Sequence, residues 1–560
     1  MKTICFAVFV FALAQFAAAA DKKFIELGWD IPDTKFLREH FREMENEGPF
    51  DGVMFRVEAK TDDGKIVSTH SGWNREPWKK ELFAPALEDL KACKFAKFTD
   101  NFILFNATPK RVDWEDNEGW AAMEEKARIC AWLAREGGAK GIALDCEPYG
   151  ENQWQFDATK GKSFAETTAL ARKRGAQFAR GIGAEMPDAV VLTLFLNSVV
   201  IRAGRADDPN AMLAKEHYGL LPAFLNGMLD AATPGMVIVD GCENGYYMDS
   251  VEEFQRAALD MRSWNGPAMK LVAPEDRAKY RRHVQAGFGF YLDMFVNEEG
   301  NHYYRGPLDG SRLKRLSRDL RAAREATDEY VWIYGEQCRW WSGLAKEKPW
   351  REEQLKKTAG KGRAWEEAMP GITRAIAWAR DPGSAAREEL AALKSRGEVT
   401  NLLINASFKA IPANGATMPF GWSAWQDEKH PTGKFAWDET IGGGSARATK
   451  VAWGCFIQKV PAAPGEVFVV QAGSRAKGSG DLNLTIRWQS ADGKWMHEVD
   501  DRTFTFVDGK GEWKSASGVV IVPPNVGQLV VLLDVRSQKT DDDACWFDDV
   551  EVYRLGNLNF

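Results

Sequence analysis

The chain of 560 residues carries 73 Lys and Arg against 80 Asp and Glu, a net charge of −7. That length accommodates two or three domains, and the mildly acidic, well-mixed charge argues against nucleic acid or an anionic membrane surface as the main partner. Eight cysteines without regular spacing, seven scattered histidines and no CxxC or HExxH motif disfavour a disulfide framework and a zinc site.

Residues 1–20, MKTICFAVFVFALAQFAAAA, join Lys2 to an apolar run from Ile4 to Leu13 and a small-residue stretch at Ala17–Ala20. This pattern predicts a secretory signal peptide, and with it a secreted or periplasmic protein. The apolar run is short for a membrane span, so no membrane association is expected once the segment is removed. Its loss takes Cys5 away. Cys146, Cys242 and Cys338, each near a predicted strand end, are expected to be buried free thiols.

From residue 22 to about 345, strand-like runs alternate with amphipathic helices. The strands are predicted at Phe24–Trp29, Gly52–Val57, Phe102–Asn106, Gly141–Glu147, Val190–Asn197, Met236–Asp240, Gly287–Phe295 and Val331–Gly335. Helices are predicted between them, among them Asp33–Glu47, Trp120–Arg135, Ser163–Ile182 and Ser311–Ala326. Alternation implies a parallel sheet. Eight units favour closure into a (β/α)8 barrel, and the absence of Gly-x-Gly-x-x-Gly after the first strand argues against a dinucleotide-binding sheet. Trp365–Arg380 and Ser384–Ser395 follow as a last barrel helix and a connector. From Thr400 the pattern changes to short alternating runs separated by turn signals such as Ala491-Asp-Gly493 and Pro523-Pro524. They are Val467–Ala472, Leu482–Trp488, Gly518–Val522, Gln528–Val535 and Trp546–Tyr553. The expected fold is therefore α/β: a barrel over 21–398, followed by an all-β jelly-roll sandwich over 399–560.

In such a barrel the polar residues after each strand converge on one mouth. The run Ile142-Ala143-Leu144-Asp145-Cys146-Glu147 ends in two carboxyl groups spaced to share a strand face. Glycoside hydrolysis needs one carboxyl as acid and a second as nucleophile or base. Like charges raise one pKa of a pair, so Glu147, nearer the mouth, is read as the acid and Asp145 as its orienting partner. The second carboxylate must come from another strand, with Glu243 and Glu336 as candidates. Arg56, Asn197, Tyr149, Tyr247, Asp293, Trp340 and Trp341 are candidate substrate ligands, the aromatics because flat rings stack on sugars. Tyr246 belongs to the same set. Each has a plainer alternative as a helix cap, an ion-pair partner or a core plug.

Gly141–Glu147 resembles the strand signature of chitinase-type (family 18) glycosidases, in which alternating Asp residues lead to a catalytic Glu. Asp145 and Glu147 match its last Asp and Glu, while Ala143 stands at the preceding acidic position. The resemblance covers under ten residues and implies a glycosidase-like barrel. Over 400–555, Asn401–Phe408, Gly421-Trp422, Gly444–Arg447 and Trp546–Tyr553 are similar to carbohydrate-binding modules of the family 4/9/22 type. That resemblance implies sugar platforms among Trp422, Trp425 and Trp437, with Trp453 and Trp488 as further candidates. It also implies a structural calcium held partly by Asp548 and Asp549, although Lys409 stands where those modules often carry an acidic residue. The expected function is a glycoside hydrolase acting on a poly- or oligosaccharide, with no catalytic cofactor. The alternatives are a glycan-binding protein on a degenerate barrel and a polysaccharide lyase.

Overall fold

The computed structural model describes residues 22–106, 110–341, 363–507 and 512–557; the expected signal segment lies outside them. The chain divides into two compact units between Arg380 and Asp381.

The first unit is a parallel barrel. Its strands are β1 (Lys23–Gly28), β2 (Gly52–Phe55), β3 (Phe102–Asn106), β4 (Gly141–Asp145), β5 (Val190–Thr193), β6 (Val237–Asp240), β7 (Val284–Ala286 continuing as Phe288–Tyr291) and β8 (Tyr330–Gly335). Each pairs in parallel with the next, and β8 returns to β1. β7 closes the circle in two pieces. Its first half pairs with β6 and its second with β8, with only Gly287 between them. A Cβ at Gly287 would meet Val239 Cγ1 at 2.7 Å, so the crossing point admits only glycine.

The helices begin where their caps dictate. Asp33 accepts from the Phe36 amide at the head of Thr34–Glu47. Asp116 caps Asn117–Gly137, three residues ahead of the predicted start. A reciprocal Ser163–Glu166 capping box opens Phe164–Glu185. The helix predicted over 365–380 is two, Trp365–Ala368 and Ile372–Arg380. Pro370 removes a backbone donor, and Gly371 turns at φ 93°.

The second unit begins with the helix Pro382–Arg396, which the sequence reading attached to the barrel. Two five-stranded antiparallel sheets follow. The strands are β9 (Ser423–Gln426), β10 (Lys434–Asp438), β11 (Ser445–Thr449), β12 (Trp453–Pro461), β13 (Glu466–Lys477), β14 (Asp481–Gln489), β15 (Arg502–Thr505), β16 (Lys514–Ile521), β17 (Gln528–Arg536) and β18 (Ala544–Asn557). One sheet has the order β9-β12-β17-β14-β15 and the other β10-β11-β18-β13-β16. Their facing sides bury one core that includes Phe456, Val470, Leu484, Val531, Leu533 and Phe547. Asn401–Phe408, expected as the opening strand, is a series of turns. Asn405 and Phe408 adopt φ near 51° and 52°, conformations that break a strand, although Leu402 still donates to Val552 O. Among the described residues all seven cysteines are free and buried. No described helix is long and apolar enough to cross a membrane.

Candidate active site at the barrel mouth

The C-terminal ends of the barrel strands surround a cavity of about 720 Å³. Asp145, Glu147, Glu243, Asp293 and Glu336 all line it, together with Arg56, Asn106 and Tyr149. Asp145 and Glu147 reach it differently from the strand alternation expected of them. β4 stops at Asp145, whose Oδ1 accepts the Glu147 amide at 2.8 Å. The chain turns there, and Glu147 is presented from the turn.

Glu243 is aimed by a strained residue. Cys242 sits at φ 37°, ψ 69°, a left-handed conformation unfavourable for a side chain with a Cβ. The Cys242 carbonyl is held by the amides of Gly245 (2.8 Å) and Gly289 (3.3 Å). Among the described residues nothing donates a hydrogen bond to the Glu243 carboxyl. Burial pushes this group up to about 8, and the charges of Glu147 and Asp145 add to the shift. These effects favour its protonated form near neutral pH.

Glu336 has a different environment. Trp29 Nε1 donates to the Tyr334 hydroxyl at 2.7 Å, and that hydroxyl lies 2.9 Å from Glu336 Oε1. An indole N–H can only donate. The Tyr334 oxygen therefore accepts from Trp29 and gives its own proton to Glu336. The receiving oxygen is thereby held as an acceptor, which favours the carboxylate. Burial, the largest influence, raises the Glu336 pKa, the tyrosine opposes it, and the charge of Glu147 adds to the rise.

The aspartates at the mouth brace backbone. Asp240 accepts from the amides of Leu196 and Ser198, each at 2.9 Å, and so fixes the turn after β5. Asp293 accepts from the Glu336 amide at 3.2 Å and the Gln337 amide at 3.2 Å, which fixes the turn after β8. Asp30 accepts from the amides of Trp340 and Trp341 at 2.7 and 3.1 Å. Burial pushes Asp145 and Asp293 each up to about 7 against the pull of the amides they accept; the neighbouring charges, Glu147 for Asp145 and Glu336 for Asp293, add to the rise.

Several ligands expected from the sequence lie elsewhere. Asn197 is fully buried, with Nδ2 3.4 Å from Ala268 O, and does not line the cavity. Trp340 and Trp341 pack edge-on against Phe50, at 5.0 and 6.4 Å between ring centres, with their backbone amides held by Asp30, and neither lines the cavity. Tyr247 is exposed and stacks on Tyr303 at 6.1 Å; Tyr303, not Tyr247, reaches the cavity.

The aromatic wall comes from residues the sequence reading passed over, apart from Tyr246. Tyr246 stacks on Tyr291 at 5.1 Å and Tyr291 on Tyr334 at 5.4 Å; Trp29 and Trp332 complete the wall. Burial and neighbouring charge hold the hydroxyls of Tyr246, Tyr291 and Tyr334 well above the usual range, so they remain donors. A signal was present. Trp332, Tyr334 and Glu336 are spaced by two along one strand and its exit, the period that puts side chains on one face. His70 also lines the cavity. Its loop is anchored by buried Lys126, whose ammonium donates to Gly72 O (2.8 Å), Asn74 O (2.7 Å) and Asn74 Oδ1 (2.8 Å).

In the sandwich, Trp422 is 6% exposed and packs on Phe408. Trp437 is half-buried and donates to Phe408 O at 2.7 Å. Trp425 is 43% exposed and meets the exposed Trp453 edge-on at 5.4 Å. Trp488 belongs to the core. Asp548 faces an ammonium: Lys409 Nζ lies 3.2 Å from Asp548 Oδ2 and also donates to Gly442 O at 2.5 Å and Gly444 O at 3.3 Å. Among the described residues no group of three or more His, Cys, Asp and Glu is arranged to hold a metal.

No family model matches the chain, and no curated protein matches it. Solved structures similar to part of it include a Stig cyclase from Fischerella sp. TAU (12% identity, 28% of this chain and 99% of that one, TM-score 0.23). A CBM61 module in complex with β-1,4-galactotriose is 16% identical over 28% of this chain and 99% of that one, with TM-score 0.20. An arabinose-bound GH51 α-L-arabinofuranosidase is 12% identical over 28% of this chain and 26% of that one, with TM-score 0.22. At these scores the similarities carry no argument about fold or chemistry.

Proposed function

We propose that the chain is a glycoside hydrolase whose barrel mouth cleaves a glycosidic bond between two carboxyl groups, Glu243 as proton donor and Glu336 as nucleophile or base. The observation that carries this reading is the different hydrogen bonding of two carboxyls lining one cavity: burial pushes both up, but Glu243 has no donor among the described residues and reaches about 8, while the Tyr334 hydroxyl donates to Glu336 and opposes its rise. Such a pair of environments separates acid from base within one site. Glu243 protonates the glycosidic oxygen as the bond breaks. Glu336 attacks the anomeric carbon or deprotonates the attacking water, depending on their separation. Burial keeps the Glu243 pKa high and its interaction with Glu147 adds to the rise, and the stacked tyrosines offer a platform to the sugar ring. No cofactor is needed for these steps.

The sequence favours Glu147 as the acid; the electrostatics favour Glu243. One experiment tests both the activity and the assignment. The mature protein is incubated with a panel of oligo- and polysaccharides and released reducing ends are followed against pH, for the parent and for Glu147→Gln. With Glu243 as acid, the parent loses activity above about pH 8, and the variant remains active with its alkaline limb moved to lower pH. Abolished turnover in Glu147→Gln returns the acid role to Glu147. Absence of cleavage by the parent across the panel, with glycan still bound, leaves a binding protein, and unsaturated products indicate a lyase. Export through residues 1–20 and glycan docking through exposed Trp425 complete the proposal.

A further inference from the structure

The cavity is rich in acidic groups and poor in basic ones. Five carboxyl groups line it, against two side chains able to carry positive charge, Arg56 and His70. Arg56 already faces a counter-charge: its Nε lies 2.8 Å from Glu58 Oε1, close enough to pair though not in hydrogen-bond geometry, and the residue is only 7% exposed. Anionic sugars are bound by guanidinium forks and ammonium groups aimed at the acid. Here the remaining polar lining is largely neutral, the side-chain amides of Asn106, Asn297, Asn301 and Gln337 and the phenols of the aromatic wall, which suit uncharged hydroxyls. A further anion is disfavoured here, because burial and mutual repulsion already push Asp145, Glu243 and Asp293 toward their neutral forms and no unpaired guanidinium fork among the described residues faces them.

We propose that the sugar unit seated in this cavity carries no anionic group: neutral or amine-bearing glycosyl residues are accepted, and uronates, sialates and sulfated sugars are refused. The proposal rests on the glycoside-hydrolase reading for its substrate, and on the charge of the cavity for its selectivity. An amine-bearing sugar gains from the same carboxyl groups that reject an acid.

The test pairs hydrolysis with binding. Aryl hexosides, free-amine aryl hexosaminides and aryl hexuronides in both anomeric forms are assayed for release of the aryl alcohol, and the matching methyl glycosides are titrated by calorimetry. The expected result is turnover of neutral or amine-bearing substrate with kcat/KM for the hexuronide lower by on the order of 100-fold. If nothing is hydrolysed but the neutral or amine-bearing methyl glycoside binds and the uronide does not, the hydrolase reading falls and the selectivity stands. A uronide or sulfated sugar cleaved or bound as well as the neutral one overturns the selectivity, whether or not cleavage occurs. A protein that neither binds nor cleaves any of them overturns both. Glu58→Gln supplies a second readout at a partly exposed position outside the acid–base pair. Releasing Arg56 should raise the hexuronide-to-hexoside ratio several-fold, and an unchanged ratio counts against the proposal.

Discussion

Acidic side chains are conspicuous in both units, and the sandwich and the barrel mouth hold several of them in contrasting environments. In the sandwich they are consumed by partners. Asp543 accepts from the amides of Ser479, Lys539 and Thr540 at 2.7–2.8 Å, which hold its carboxyl well below the usual range. Asp438 accepts from Trp546 Nε1 and the Thr440 amide, each at 2.9 Å. Asp548 faces Lys409. At the barrel mouth, Glu243 is enclosed without a donor and its carboxyl is pushed up. Within the mouth, Asp30, Asp240 and Asp293 accept from backbone amides, Asp293 while also lining the cavity, whereas Glu336 accepts from the Tyr334 hydroxyl and nothing among the described residues donates to Glu243. A satisfied carboxylate stabilises the fold. An enclosed, unsatisfied one costs stability and is available for chemistry. The type of residue does not distinguish the two; what donates to it does.

The largest effect that would break this comparison lies at the two catalytic glutamates. Glu243→Gln and Glu336→Gln should each lower kcat by on the order of 10³–10⁴ while far-UV circular dichroism stays unchanged. A loss below tenfold in either variant would place that glutamate with the structural aspartates. Tyr334→Phe should follow, with kcat reduced roughly 10- to 100-fold, the span of one hydrogen bond to a charged group. Without the tyrosine proton the Glu336 pKa rises, so the acidic limb of the rate profile moves to higher pH. A uniform loss with no movement of that limb would mean the tyrosine acts only by packing.

The next prediction concerns stability. Asp145, Glu243 and Asp293 have folded-state values near 7, 8 and 7, above the ordinary carboxyl range near 4. The folded unit then binds more protons than the unfolded chain between about pH 4 and 8. Their contribution is complete below the ordinary range and is lost as pH climbs through the folded values. The barrel's melting temperature should therefore fall from pH 5 to pH 8.5, and Glu243→Gln should flatten that slope and melt higher at pH 8. A parent melt that rises with pH over this interval would contradict the shifts.

The smallest effect belongs to the sandwich. Lys409→Ala removes a half-exposed ammonium and should cost about 1 kcal/mol, the scale of a partly exposed ion pair, without altering turnover of small soluble glycosides. A loss of several kcal/mol in a calorimetric scan would give that lysine a structural weight its exposure does not suggest.

Local pattern alone was enough for the eight barrel strands and for five of the ten described sandwich strands, β13, β14, β16, β17 and β18. Period-2 and period-3.6 spacing are properties of consecutive residues, and chain direction puts every strand exit at one mouth. For the same reason Glu147, Glu243 and Glu336 were legible as mouth residues. Element ends were less so. The strand read as Gly287–Phe295 begins at Val284 and breaks at Gly287, because closure of the barrel, a long-range event, decides which residues pair.

What only the tertiary structure decided is which polar residue serves and which merely holds. Nothing local in the sequence separates Asp293, braced by amides from the turn after β8, from Glu336, presented by that turn 43 residues later. Nor does it show that Asp30 accepts from Trp341 across 311 positions, or that the two tryptophans pack on Phe50 and do not line the cavity. A carboxyl group's role depends on the donors, charges and solvent around it, and those neighbours come from distant parts of the chain.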